Sequence, residues 1–268
     1  MIMRNLMFIV GVLCIIGVSC ANANVEKSKE QPSNLVKQLI INEDENQTRT
    51  VDFKYDESGR LIEVSTVVDA GTKSEFTEKV TVAYGESTIV CKSEKKSMTL
   101  SVDSEGFVQK REVKFEDTLV IYNYEYKSGK LVSFGTDDCL RNYIWDGDNI
   151  SKMFVVMRDE DLIWYDTIDY KYSDVVRPSI DILAFSSMFG GFPKAESVAS
   201  KGIVSKYMPS EVKVSNYDNE KALNSISLLT CKYTTDKYGR IESFDYKYSR
   251  NNGSEFEENT NVTVKVEY

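Results

Sequence analysis

Residues Val51–Val64, VDFKYDESGRLIEV, constrain this chain more than any other stretch. Val51, Phe53 and Tyr55 recur at every second position, with Asp52 and Lys54 between them. That two-residue period belongs to a strand with one buried face. The polar run Asp56–Arg60 then reverses the chain, with Gly59 able to take positive φ, and Leu61, Ile62 and Val64 carry the return. The same pattern recurs at Lys232-Tyr233, a turn through Asp236–Arg240, and Ile241. Looser copies are Val102–Val108 (VDSEGFV) and Tyr124–Val132 (YEYKSGKLV). The chain is built of β-hairpins.

The N-terminus reads as a processing signal. Arg4 supplies a positive start, and Leu6–Val18 is an uncharged apolar run, too short to span a bilayer, which needs about 20 residues. It ends at Gly17-Val18-Ser19-Cys20, which resembles the lipobox of bacterial lipoproteins, although Gly17 stands where Leu is usual. That resemblance implies cleavage after residue 19 and lipidation of Cys20. The alternative is an ordinary signal peptide cut nearby. A multiply acylated cysteine anchors a protein stably without a transmembrane helix. Residues 20–34 then form a flexible polar tether of about 45 Å at full stretch, and 35–268 a single antiparallel β domain.

The formal net charge is −9, and removing the signal takes away Arg4 and no acid. The domain therefore lacks the basic footprint that nucleic acid or anionic lipid requires. Of the five cysteines, Cys14 leaves with the signal and Cys20 carries lipid. Cys91, Cys139 and Cys231 remain, widely spaced and without a CxxC pair. They read as three buried thiols, or as one disulfide with a thiol left over, and not as a zinc site.

Strand patterns continue to Leu162–Tyr172, where Trp164, Ile168, Tyr170 and Tyr172 share a parity. The pattern breaks over about 173–209. There Ser179 is placed to cap a helix running to Phe189, with Asp181 in its first turn and Gly190-Gly191 ending it. Ile180, Ile182, Leu183, Phe185, Met188 and Phe189 leave that helix little polar face, so it must be buried. It is expected to close one end of the sheet or cover its concave face. Strands then resume to Tyr268. The fold expected is all-β: a large curled antiparallel meander sheet or barrel of roughly 12–15 strands, with one buried helix on or in it.

With the lipobox, the hairpins of the type Tyr55-Asp56-x-x-Gly59-Arg60-Leu61, the single helical break and the return to strands, the chain resembles a family of bacterial envelope lipoproteins of unknown function described as having a porin-like fold. The resemblance covers nearly the whole domain. It implies architecture and no activity.

The chain has no histidine, which removes Ser-His and Cys-His nucleophile activation and histidine metal sites. The acids Asp137-Asp138, Asp146-Gly147-Asp148-Asn149 and Asp159-Glu160-Asp161 read as hairpin turns more readily than as calcium or catalytic carboxylates. No catalytic residue, metal or cofactor is expected. Trp145, Trp164, Tyr122 and Tyr124 are the candidate ligand-stacking aromatics, although strands favour such rings for packing alone. The function expected is a binding module for an apolar or glycan ligand, the alternative being a non-catalytic structural or interaction component of an envelope assembly. A large apolar cavity would favour the ligand, and a filled interior the partner. The location expected is lipid-anchored at an outer membrane, facing the periplasm, because Ala21–Asn24 is uncharged and Glu26 adjoins Lys27.

Overall fold

The computed structural model describes residues 33–43, 47–69, 75–159, 162–186, 198–199, 201–251 and 256–268. The expected signal peptide, Cys20 and the tether up to residue 32 lie outside the described residues. The strands are β1 (Gln38–Glu43), β2 (Gln47–Tyr55), β3 (Leu61–Val68), β4 (Phe76–Tyr84), β5 (Thr88–Lys92), β6 (Lys96–Val102), β7 (Val108–Phe115) and β8 (Thr118–Lys127). They continue as β9 (Lys130–Gly135), β10 (Cys139–Asp146), β11 (Asn149–Asp159), β12 (Leu162–Val176), β13 (Tyr207–Tyr217), β14 (Leu223–Thr235), β15 (Ile241–Asn251) and β16 (Phe256–Glu267). A short helix, α1 (Ile182–Ser186), lies between β12 and β13.

Each strand pairs antiparallel with its neighbours in sequence, and β1 pairs with β16, so the sheet closes into a barrel. At the seam Leu39 lies opposite Val266 and Ile41 opposite Val264. A ring made only of antiparallel pairs needs an even number of strands. The described strands number sixteen, one more than the upper end of the expected range.

The turns explain why the hairpins form where they do. Asp56 accepts hydrogen bonds at Oδ1 from the backbone N–H groups of Ser58 and Arg60, both at 2.9 Å, and at Oδ2 from Arg60 Nε at 2.7 Å. Asp236 repeats this with Tyr238 and Arg240. Gly59 and Gly239 adopt φ of 75° and 78°, the left-handed region that a side chain makes costly. The Asp-x-x-Gly-Arg signature is thus a capped turn: the aspartate holds the loop's amides and the arginine both.

Alternation sorts the wall into two faces. Inward positions such as Leu39, Val51, Val64, Leu100, Met153, Ile168 and Val264 are fully buried. Outward positions carry ion pairs between and along strands, including Lys54–Glu63–Lys79 and Lys171–Glu211. The row Val51, Phe53, Tyr124, Tyr170, Phe244 and Tyr246 lies inside, as its parity predicts.

Residues 177–186 and 201–206, described parts of the connection between β12 and β13, plug the end of the barrel that holds the Asp56 and Asp236 turns. Two expectations change here. Ser173–Val176 prolong β12 and Tyr207–Pro209 open β13, so the strand-free stretch is shorter than 173–209. The helix cap is Asp181, whose Oδ1 accepts from Ala184 N–H at 3.0 Å, while Ser179 Oγ donates to the Asn34 carbonyl. Helix α1 spans Ile182–Ser186, and Met188, Phe189, Gly190 and Gly191 lie outside the described residues.

Ile180, Ile182, Leu183, Ala184 and Phe185 are all buried, and the Phe185 ring meets Phe53 edge-on with centroids 4.9 Å apart. Arg177 is 8% exposed and is held by the Ser205 and Tyr207 carbonyls, with Asp181 beside it at 4.0 Å. Tyr172 hydroxyl bonds both the Ile150 carbonyl and Ser205 Oγ, and Ser205 Oγ accepts from Ile150 N–H. At Gly202 the plug runs so close to β9 that a Cβ would lie 2.4 Å from the Gly129 carbonyl oxygen.

Because the plug fills the core, Phe185→Ala is expected to cost about 3–5 kcal/mol. Chemical denaturation should show that loss in a single cooperative transition, whereas a separately melting segment would show two.

Candidate functional site

The barrel interior divides along its axis. Toward the plugged end, inward side chains are apolar and closed off from solvent. Toward the opposite end, where the β11–β12 and β13–β14 connections lie, inward positions on β7, β10, β12, β13 and β15 become polar, while Cys91 and Met98 keep β5 and β6 apolar there.

One hydrogen-bonded register row crosses seven strands on the inner face: Tyr124, Phe134, Arg141, Val155, Asp166, Asn216 and Ser225. Their inward orientation follows from parity, since Tyr143, Met153 and Ile168, two positions away from row members, are buried core residues. Asp166 is only 2% exposed. Its Oδ1 accepts from Asn216 Nδ2 at 2.7 Å. Burial pushes the Asp166 carboxyl up to about 7, opposed by the Asn216 hydrogen bond and by the charge of Arg141.

Two further arginines join the row. Arg111, on β7 opposite Tyr122, places its guanidinium 4.0 Å from the Tyr122 ring centroid and 4.7 Å from that of Phe134. Arg141 lies 5.4 Å from the same Phe134 centroid. Both guanidinium carbons are thus held by one ring, at a separation that cannot exceed about 10 Å. At the other end of the row Arg250 donates to Ser225 Oγ at 3.3 Å. Arg141 Nη1, Arg250 Nε and Asp166 Oδ2 are buried with no hydrogen-bond partner among the described residues. Such groups cost about 1–3 kcal/mol each when left unmet. The arc therefore holds three guanidinium groups and one carboxylate, an arrangement suited to taking a negatively charged, hydrogen-bonding guest.

The four aromatics singled out in the sequence do not converge. Tyr122 and Trp164 belong to the polar half: Tyr122 stacks on Phe134 at 5.3 Å, and Trp164 shares the inward parity of Asp166, two residues away. Tyr124 is buried against Phe134 at 4.6 Å and belongs to the core. Trp145 sits toward the plugged end, where its indole N–H donates to the Leu131 carbonyl at 2.7 Å and Lys130 lies over its ring.

Arg111, Arg141, Asp166, Asn216 and Arg250 were passed over in the sequence. A signal was available in each case, because each places a polar group at the parity of apolar neighbours. Asp166 interrupts Trp164, Ile168 and Tyr170, and Arg141 falls between Cys139 and Tyr143.

The other candidates resolve as structure. Cys91, Cys139 and Cys231 are free thiols. Cys91 and Cys231 are buried, which pushes both up to about 12 and makes them unreactive, whereas Cys139 is half-buried. Asp146-Gly147-Asp148-Asn149 forms the β10–β11 turn; Asn149 Oδ1 accepts from Tyr207 N–H and the Asp148 carbonyl from Lys206 N–H, tying that turn to the plug. Asp137-Asp138 forms the β9–β10 turn, and Glu160 and Asp161 lie outside the described residues.

No protein-family model and no curated protein matches the chain. Solved structures do. A porin-like protein from Bacteroides uniformis ATCC 8492 is 15% identical, with a TM-score of 0.58 over 88% of this chain and 97% of that one. A porin-like protein from Bacteroides vulgatus ATCC 8482 is 13% identical, with a TM-score of 0.53 over 87% of this chain and 98% of that one. The chain has a porin-like barrel fold. At these identities the likeness concerns the fold alone.

The raised Asp166 carboxyl predicts a pH dependence. Between its ordinary value of 3.8 and about 7 the folded protein keeps a proton that the unfolded chain has lost. Folding stability from this group therefore falls as pH rises through that window. The melting temperature of Asp166→Asn relative to wild type should increase from pH 5 to pH 8; a flat difference would mean that Asp166 does not titrate there.

Proposed function

We propose that this chain is a non-catalytic, lipid-anchored binding module of the bacterial envelope, which takes a small polar ligand into the open half of its barrel. One observation carries the reading: the inner face is apolar at the plugged end, but on β7, β10, β12, β13 and β15 it turns polar and arginine-rich toward the other, with buried hydrogen-bonding atoms left unmet among the described residues. The apolar half is lined by residues closed off from solvent and the polar atoms lie in the other, so of the two ligand classes expected the glycan fits better. Tyr122 and Trp164 supply ring faces there, and Asn216 and Ser225 supply hydrogen-bonding groups.

The outer wall supports an anchor rather than insertion. Lys54, Glu63, Lys79, Lys152, Asp169, Lys171 and Glu211 all point outward from the sheet. A charge on a lipid-facing wall costs about 2–4 kcal/mol at the bilayer midplane. A barrel so covered stays outside hydrocarbon, and its membrane attachment falls to the acyl chains on Cys20. The periplasmic face of an outer membrane is the location proposed, with the domain held on the tether of residues 20–34.

A second reading, an interaction component of an envelope assembly, is favoured by Leu140, Ile144 and Phe154. These exposed apolar side chains surround Asn142 on the outer faces of β10 and β11.

Two experiments test these readings. Cys20→Ala should release the protein from the membrane pellet into the exported soluble fraction, and retention in the pellet overturns the anchor. Native mass spectrometry of protein extracted from its own host should show a bound small molecule. A co-purifying protein without any small molecule would favour the interaction component instead.

A further inference from the structure

The arc of Arg111, Arg141, Asp166 and Arg250 asks for a more specific guest than a neutral sugar. We infer that the polar half of the barrel binds a carboxylate-bearing sugar, a uronic acid or the acidic residue of a glycan, with the carboxylate received by Arg141 beside the Phe134 ring. The inference deepens the binding-module reading and rests on it.

The geometry supports each part of that guest. Arg111 lies 4.7 Å and Arg141 5.4 Å from the Phe134 centroid, so two cationic groups flank one ring of the inner face. An arginine fork matches a carboxylate with two parallel hydrogen bonds, which a single lysine ammonium cannot do. Arg111, stacked on Tyr122 and Phe134, adds positive charge on the other side of that ring. Arg141 retains a buried, unmet N–H on Nη1.

Asp166 is the acid within the row, and burial pushes it up to about 7, so below neutral pH it cancels little of the arginine charge. Its own Oδ2 is unmet and buried, so the protonated acid can donate to a sugar hydroxyl. Asn216 and Ser225 continue the row beyond it and offer further partners to ring hydroxyls. Trp164, two residues from Asp166 on the same face of β12, offers an apolar plane for the C–H face of a pyranose. A simple inorganic anion would use the arginines and leave the rest of the row idle.

The test is calorimetric titration of the exported protein with sodium glucuronate, glucose, sodium sulfate and a galacturonate trimer. Wild type, Arg141→Gln and the outer-wall control Lys232→Gln are compared at constant pH and ionic strength. Glucuronate or the trimer should bind at least tenfold more tightly than glucose and sulfate. Arg141→Gln should lose tenfold or more of that affinity, with Lys232→Gln unchanged. A preference for the trimer over glucuronate assigns the end of an acidic glycan as the guest, and the reverse assigns the free sugar acid.

Equal affinities for glucuronate and glucose, or an Arg141→Gln protein that binds as wild type does, would overturn the carboxylate assignment and leave a sugar-binding module standing. Sulfate binding as tightly as glucuronate would overturn the sugar half. Absence of binding by all four probes overturns this inference, and the broader reading falls with it only if native mass spectrometry also shows no small molecule. If circular dichroism shows Arg141→Gln to be unfolded, Arg141→Lys replaces it. That variant keeps the charge but not the fork, and it should still bind glucuronate more weakly than wild type; unchanged affinity would overturn the role of the fork.

Discussion

The pairing of β1 with β16 is the contact on which the rest of this structure depends. An open sheet of this size would present two rows of unpaired backbone groups and would have no inside. Closing the ring pairs both edges and divides every strand into a face toward the lumen and a face toward the surroundings. The alternation along each strand then acquires a meaning that it lacks in isolation: Leu39 and Val266 are buried because their neighbours meet across the seam. The seam joins the start of the described chain to its end, so it forms only when all the intervening hairpins are in register.

Closure creates a second problem, since a ring of sixteen strands has an interior wider than its own side chains readily fill. Barrels of 16–18 strands commonly leave an aqueous channel. This chain meets the problem differently at its two ends. Toward one end, large inward residues and the segment carrying Ile180, Leu183 and Phe185 fill the space, with the buried Arg177 and the Tyr172–Ser205 pair tying that segment to the wall. Toward the other end Cys91 and Met98 keep one side apolar, while the opposite side carries arginines, an aspartate and small polar residues. The same barrel therefore has an apolar core toward one end and a polar arc on its inner wall toward the other.

The polar recess is costly to maintain. Three guanidinium groups with Asp166 among them, and several polar atoms without partners, detract from folding stability. Arg111 and Arg141 offset part of that cost by lying on aromatic rings, which favour a cation over their faces. A core built for stability alone would continue the Val, Ile and Tyr rows to the rim. The break in those rows on β7, β10, β12 and β15 is what sets this interior apart from a filler of space, and it places hydrogen-bonding charge on the inner face.

How much of this was legible differs by scale. The strands, the Asp56 and Asp236 turns, the buried helix and the inward parity of Phe53, Tyr124 and Phe244 were all readable in the sequence, because each depends on a period of two or on a few neighbouring residues. The site was not. Trp145 and Trp164 look alike in sequence, yet one lies toward the plugged end and the other in the open half, since position along the barrel axis depends on where each strand starts. Arg141, Asp166 and Asn216 lie far apart in the chain and become neighbours only through the registers of β10 to β13. The cap of α1 shifted from Ser179 to Asp181 for a related reason, the Ser179 hydroxyl being drawn to the Asn34 carbonyl from a distant part of the chain. The amino-acid sequence by itself determined that this protein is made of capped hairpins with one apolar face. Ring closure, the filled and open halves, and the arginine arc were decided by the tertiary structure, because they depend on register between strands, which local alternation does not specify.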